Sequence, residues 1–430
     1  MCDFDLVIRG GGLWLAGGRS ADGERFPVMD IGIRGDRLVA LAPQLSGTGR
    51  VEIEAGGKLV SPPFVESHIH LDSAFTAGQP RVNESGTLFE GIQIWAERKR
   101  SLTAEDVQER AIATLKTQAQ QGVLYVRSHV DVSEPNLTAL KALLTVREAV
   151  RDWITLQIVA FPQDGLYGHP RNAELYQEAI ALGVDVLGGI PHYELTREAG
   201  VQSVEQIFNW AVQKDRLIDL HCDEIDDPQS RFLEVMAACA IRHDIGPRAT
   251  ASHTTAFGSY ENGYANKLMG FLQRAKLNFI ANPLINITLQ GRTDSYPKRR
   301  GITRVKELWQ GGLNVSLGHD CIQDPWYSLG TGNMLDVASM AIHGCHMTGQ
   351  QEMLACYDMI TDGGAQTLQL ENYGLELGNP ADLIILDAAD PIAALRQRAT
   401  VTTVIRRGQI LAQTQPAVTS WHGLPTPEML

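Results

Sequence analysis

The 430-residue sequence lacks the features that mark most specialised classes. Its six cysteines, Cys2, Cys222, Cys239, Cys321, Cys345 and Cys356, are scattered and form no C-x-x-C pair. That excludes a disulfide scaffold and fits free thiols in a reducing compartment. No apolar run approaches the ~18 residues of a membrane span. The opening MCDFDLVIRG is acidic where a secretory signal is basic, and no long apolar stretch follows. These absences predict a cytoplasmic protein. Basic charge is short too: 37 Lys and Arg against 50 Asp and Glu leave a net charge of −13. Nucleic acid and anionic membranes are therefore excluded as partners. The local cluster Lys298-Arg-Arg with Arg304 is too small to change that and reads as a surface or subunit contact. Gly10-Gly-Gly lacks the strand–turn–helix setting of a dinucleotide loop and reads as a turn.

What is present is a globular composition, 44% hydrophobic, in a chain long enough for a large core. Both ends are rich in short β-branched segments broken by glycine: Asp5–Arg9, Ile31–Ala40 and Val51–Ala55, then Ala381–Asp387 and Val401–Leu411 with a hairpin turn at Arg407-Gly408. They predict one small β-sandwich built from residues 1–60 and 370–430. Between them, eight short apolar runs start at Lys58, Val123, Thr155, Val184, Leu217, Ala249, Asn278 and Asn314. Helical periods such as Ala104–Gln121 and Val204–Lys214 separate several of them. Eight strand–helix units predict a parallel (β/α)8 TIM barrel over residues 61–369.

The active site of such a barrel lies at the C-terminal ends of its strands. Here those ends carry polar residues that a core would not need. The first run ends Val65-Glu-Ser-His68-Ile-His70-Leu-Asp72, and the two-residue period of a strand points His68 and His70 to one side. The fifth ends His221-Cys-Asp-Glu224, the sixth Ser252-His253-Thr, and the eighth Gly318-His-Asp320-Cys321. Imidazole nitrogens with a carboxylate suit one divalent metal ion, zinc or iron. The inferred ligands are His68, His70, His221 and Asp320.

The order H-x-H, His, His, Asp on successive strand ends resembles the amidohydrolase superfamily. Longer segments, Pro62-Pro-Phe-Val-Glu-Ser-His-Ile-His-Leu-Asp, His221-Cys-Asp-Glu-Ile-Asp-Asp, Tyr296-Pro-Lys-Arg-Arg-Gly-Ile-Thr-Arg and Asp324-Pro-Trp-Tyr, resemble bacterial cytosine deaminases. The fourth strand ends Gly188-Gly-Ile-Pro-His192-Tyr-Glu, without the lysine that two-metal members of the superfamily carboxylate, which supports one metal. The resemblance implies hydrolytic deamination of a free pyrimidine base at C4, and a homo-oligomer. It implies roles as well: Glu224 as the acid for the ring nitrogen, His253 polarising the attacking oxygen, and Asp320 taking its proton. Gln163 would pair with the pyrimidine carbonyl and adjacent N–H, with Trp326 over the ring and Leu88 as a further wall.

One residue departs from that pattern. The family has a second acid directly after the metal aspartate, beside the substrate, and this chain has Cys321. A thiol removes charge and bulk and leaves an apolar surface, where a methyl group on ring position five fits. The expected substrate is therefore cytosine or 5-methylcytosine, with the methylated base accepted or preferred. The alternatives are an unchanged cytosine site, another ring such as isocytosine, isoguanine or creatinine, and a metal-free barrel used as a scaffold.

Overall fold

A computed structural model describes residues 2–15 and 26–420; residues 1, 16–25 and 421–430 of the expected sandwich lie outside them. Its strands are β1 (Phe4–Leu13), β2 (Val28–Arg34), β3 (Arg37–Ala42), β4 (Gly49–Glu54), β5 (Leu59–Ser61), β6 (Phe64–Ile69), β7 (Val123–Asp131) and β8 (Thr155–Phe161). There follow β9 (Val186–Gly189), β10 (Leu217–Cys222), β11 (Ala249–His253), β12 (Asn278–Ala281), β13 (Val315–Leu317), β14 (Leu383–Leu386), β15 (Val401–Arg406) and β16 (Gln409–Gln413). They form two eight-stranded sheets. β6 to β13 run in sequence order, each parallel to the next, as the eight apolar runs predict. Helices lie between most of them, including 104–120, capped by Thr103, and 197–214, capped by Thr196. Parallel strands covered on both faces need continuous apolar runs, and every residue of β7 is buried. The architecture is a TIM barrel.

The barrel closes between β6 and β13 by a single bridge, Ile69 to Asp320. Across this seam the His70 N–H donates to the Asp320 carbonyl at 3.0 Å, and the Asp320 N–H to the His68 carbonyl at 2.8 Å. Fully buried Glu66 reinforces it, one carboxylate oxygen accepting from the N–H of His68 at 3.1 Å and of His319 at 2.9 Å. Three of the four inferred metal ligands thus stand on the closing seam.

The second sheet is mixed and takes strands from both ends of the chain, in the order β16-β15-β14-β5-β1-β2-β3, with β4 on β1. Its apolar face encloses Leu6, Ile8, Ile31, Ile33, Leu383 and Ile405, a core separate from the barrel's. The β15–β16 turn is Arg407-Gly408, both at positive φ, as a two-residue hairpin requires. Two local readings change. The run from Lys58 is not one strand: Pro62 and Pro63 have no N–H to donate, so Leu59–Ser61 joins the terminal sheet and the barrel starts at Phe64. Gly10-Gly-Gly is not a turn but a bulge within β1, with Gly10 at φ +60° where the register on β2 shifts.

Candidate active site

The C-terminal mouth of the barrel gathers the residues that the strand ends singled out. His70 Nε2 lies 3.2 Å from His221 Nε2. Asp320 Oδ1 is 3.4 Å from His70 Nε2 and 3.6 Å from His68 Nε2. The protonation of His68 follows from its neighbours. Ser252 Oγ donates to Asp219 Oδ1 at 2.5 Å, and so it accepts from His68 Nδ1, 3.1 Å away. That leaves the Nε2 lone pair of His68 facing the cluster, buried and without a protein partner among the described residues. Asp219 itself is held by buried Arg127 at 2.9 Å. Burial, with the neighbouring imidazoles, drives His68, His70 and His221 well below the usual histidine range. They are neutral imidazoles, the form that ligates metals.

The buried set His68, His70 and His221, with Asp320 Oδ1 beside two of its rings, fits one divalent cation. Ser252→Ala is expected to lower metal affinity about 10- to 100-fold, because the His68 ring loses the partner that sets its tautomer. Metal retention against a competing chelator measures it; wild-type retention would remove the serine from this role.

Backbone strain collects at the same place. His253, Asp320 and Asp223 all take positive φ, at +66°, +69° and +54°, an uncommon conformation for side-chain-bearing residues that marks functional sites. Asp223 accounts for its own case. Its carboxylate accepts from Ser230 Oγ, the N–H groups of Phe232 and Leu233, and Tyr260 Oη. The loop after β10 is folded back on itself, which sets Glu224 in the mouth. Burial pushes the Glu224 carboxyl up to about 8. Its Oε1 is 3.1 Å from His253 Nδ1, while His253 Nε2 is 3.8 Å from Asp320 Oδ2. Burial lowers His253 to about 3.

A pocket opens above this cluster and reaches His70, His221, Glu224 and Asp320. Gln163, at the end of β8, and Leu88, Cys321 and Trp326 line it, so the four expected substrate contacts face one space. Asp324 accepts from the N–H groups of Trp326 and Tyr327 and sets the turn that carries the indole. Gly91, on helix 88–98, lies against that ring, and a Cβ there would collide with it. Cys321 packs with Ile285, Leu289, Leu88 and Trp326 in a small apolar cluster of its own. His192 also reaches the pocket, whereas His129 lies below the site with its ring 4.0 Å from that of His68. His319 turns away, occupied by the Cys321 carbonyl and the N–H groups of Thr331 and Gly332.

The structure adds residues that the sequence reading missed. Phe89, Ile92, Ile190 and Ile225 line the pocket. Asn282 and Asn286 contact His253 from below. The signal for the asparagines was there: Asn282 directly follows β12 and caps the helix begun by Pro283, and a spacing of four puts Asn286 on the same face.

Residues 51–412 match the amidohydrolase family. The chain belongs to that family. Two crystal structures of 5-methylcytosine deaminase from Klebsiella pneumoniae superpose on this amidohydrolase. The form liganded with 5-fluorocytosine has a TM-score of 0.92 at 46% identity, covering 96% of this chain and 99% of that one. The form liganded with phosphonocytosine has a TM-score of 0.91 at 47% identity, covering 96% and 100%. N-isopropylammelide isopropyl amidohydrolase of Pseudomonas sp. strain ADP is 29% identical over 423 residues, 97% of this chain and 99% of that protein. The amidohydrolase described here is accordingly a hydrolytic deaminase acting on C–N bonds. None of its helices among the described residues is long and apolar enough to cross a membrane.

Proposed function

We propose that this amidohydrolase removes the exocyclic amine from C4 of a free cytosine-type base as ammonia, with 5-methylcytosine, which yields thymine, as the preferred substrate. The observation that carries the preference is the wall around Cys321. Ile285, Leu289, Leu88 and Trp326 make it apolar on the side next to Asp320. Burying a methyl group there is worth roughly 0.8 kcal/mol, while a carboxylate at the same place would have to be desolvated against it. The likeness to a 5-methylcytosine deaminase supports the same reading.

The geometry supports a role for each residue. Gln163 offers an acceptor and a donor side by side, the complement of a ring N–H next to a carbonyl. Leu88 and Trp326 flank the ring. His68, His70, His221 and Asp320 would hold a divalent ion, zinc or iron, which when bound would supply a hydroxide-like nucleophile at neutral pH by lowering the pKa of water from 15.7 towards ~7. Asp320 would accept a proton from the attacking water, and His253, beside both carboxylates, would orient and polarise that water. Glu224 protonates the ring nitrogen next to the attacked carbon. Of the two protons of water, one ends on that ring nitrogen and one on the departing amine, so Glu224 and Asp320 finish as they began.

The test is kcat/KM for cytosine and 5-methylcytosine in the wild type and in Cys321→Asp. The wild type is expected to favour the methylated base by a few-fold, from the ~0.8 kcal/mol of one buried methyl group, and the variant to reverse that ratio. An equal ratio in both proteins would overturn the preference and leave a plain cytosine deaminase. Isocytosine, isoguanine and creatinine, assayed alongside for ammonia release, check the choice of ring.

A further inference from the structure

The mechanism needs Glu224 and His253 in fixed relation, and neither is fixed by its own strand alone. Glu224 stands on the loop beyond β10, and His253 is the last residue of β11, at a strained φ. The contact that joins them comes from a third element, the short helix Pro283–Leu289 that follows β12. Asn286 is fully buried, and its Nδ2 lies 3.3 Å from Glu224 Oε1 and 3.2 Å from His253 Nδ1. With Glu224 Oε1 and His253 Nδ1 3.1 Å apart, the three side chains close a triangle. Asn282, one helical turn earlier and also fully buried, places its Nδ2 3.2 Å from His253 Nε2. The Asn286 N–H donates to the Asn282 carbonyl at 3.0 Å, which ties the two together.

Neither amide has an evident structural task besides this. The side-chain carbonyls of both are buried with no hydrogen-bond partner among the described residues. A buried amide that leaves half its capacity unused costs stability. An apolar side chain of the same shape would fill the place without that cost, so the amide is accounted for by what its N–H groups hold.

We infer that Asn286 is a positioning residue for the deamination, fixing Glu224 relative to His253 so that the acid meets the ring nitrogen as the attack occurs. It touches no reacting atom, and it acts through Glu224. The inference rests on the role proposed for Glu224, and the experiment separates the two. Asn286→Leu keeps the shape and removes the donor; Asn286→Ser serves where leucine prevents folding. Misplacing a catalytic group by about 1 Å costs on the order of 10²-fold. Asn286→Leu is therefore expected to lower kcat by that order, with KM and metal content near wild type. In a Glu224→Gln background the same substitution is expected to add little, because the group it positions is gone. A full loss in both backgrounds would show Asn286 acting independently of Glu224 and overturn the inference, as would wild-type kcat in Asn286→Leu. Wild-type kcat in Glu224→Gln alone would instead bring down the role of Glu224 and, with it, this one.

Discussion

Glu224→Gln is expected to lower kcat about 10²- to 10⁴-fold, the range general acid catalysis supplies, while leaving metal content and fold intact. The substitution is close to isosteric, and the amide can still lie beside Asn286 and His253, so packing is not what it tests. What it removes is a transferable proton. Burial holds the Glu224 carboxyl at about 8, above the usual carboxylate range, so the side chain is protonated and ready to donate at neutral pH. The sign follows. A catalytic acid with a raised pKa is fully present below it and lost as pH climbs through it, so wild-type kcat should fall above about pH 8. In Glu224→Gln that alkaline limb should vanish along with most of the rate. A variant that kept the limb at reduced amplitude would assign it to another group and leave Glu224 with packing alone.

The barrel was legible because parallel strands covered on both sides must be unbroken apolar runs, and eight of these stand out between helical stretches. The set of polar strand ends was legible for the complementary reason. His68, His70, His221, His253 and Asp320 interrupt apolar strands where a core has no use for them, and the structure brings them into one cluster. What sequence did not yield depends on contacts between segments. The four-residue spacing of Asn282 and Asn286 is in the sequence, but their place beside His253 and Glu224 emerges only once β12 is set beside β11 and β10. Ile285 and Leu289 carry no chemical signal either; they matter because a short helix brings them against Cys321. The two local misreadings have a shared origin. The apolar run from Lys58 reads straight through Pro62-Pro63, and Gly10-Gly-Gly reads as a turn. Their meaning came from the neighbouring strands, which pair with β5 on one side of the prolines and absorb the glycine as a bulge.

The low exposure of this cluster bears on how strongly the site depends on one residue. Asp320 is 3% exposed, and burial, with Glu224 and Asp324 nearby, raises its carboxyl well above the ordinary range. A cation among the histidines would oppose that shift and favour the carboxylate, and in the proposed mechanism Asp320 serves as ligand and proton acceptor together. Asp320→Asn preserves the shape and the seam hydrogen bonds, which are made by backbone atoms, but removes both services. It is expected to abolish measurable turnover, a larger loss than Glu224→Gln, and to weaken metal retention. Treating the wild type with a chelator should give the same loss, restored by adding zinc or iron back, whereas Asp320→Asn should stay inactive at saturating metal because the proton acceptor is still missing. Turnover near the wild-type rate in metal-saturated Asp320→Asn would leave the residue as a ligand only and move the base elsewhere, with His253, 3.8 Å from the same carboxylate, the nearest imidazole outside the metal set.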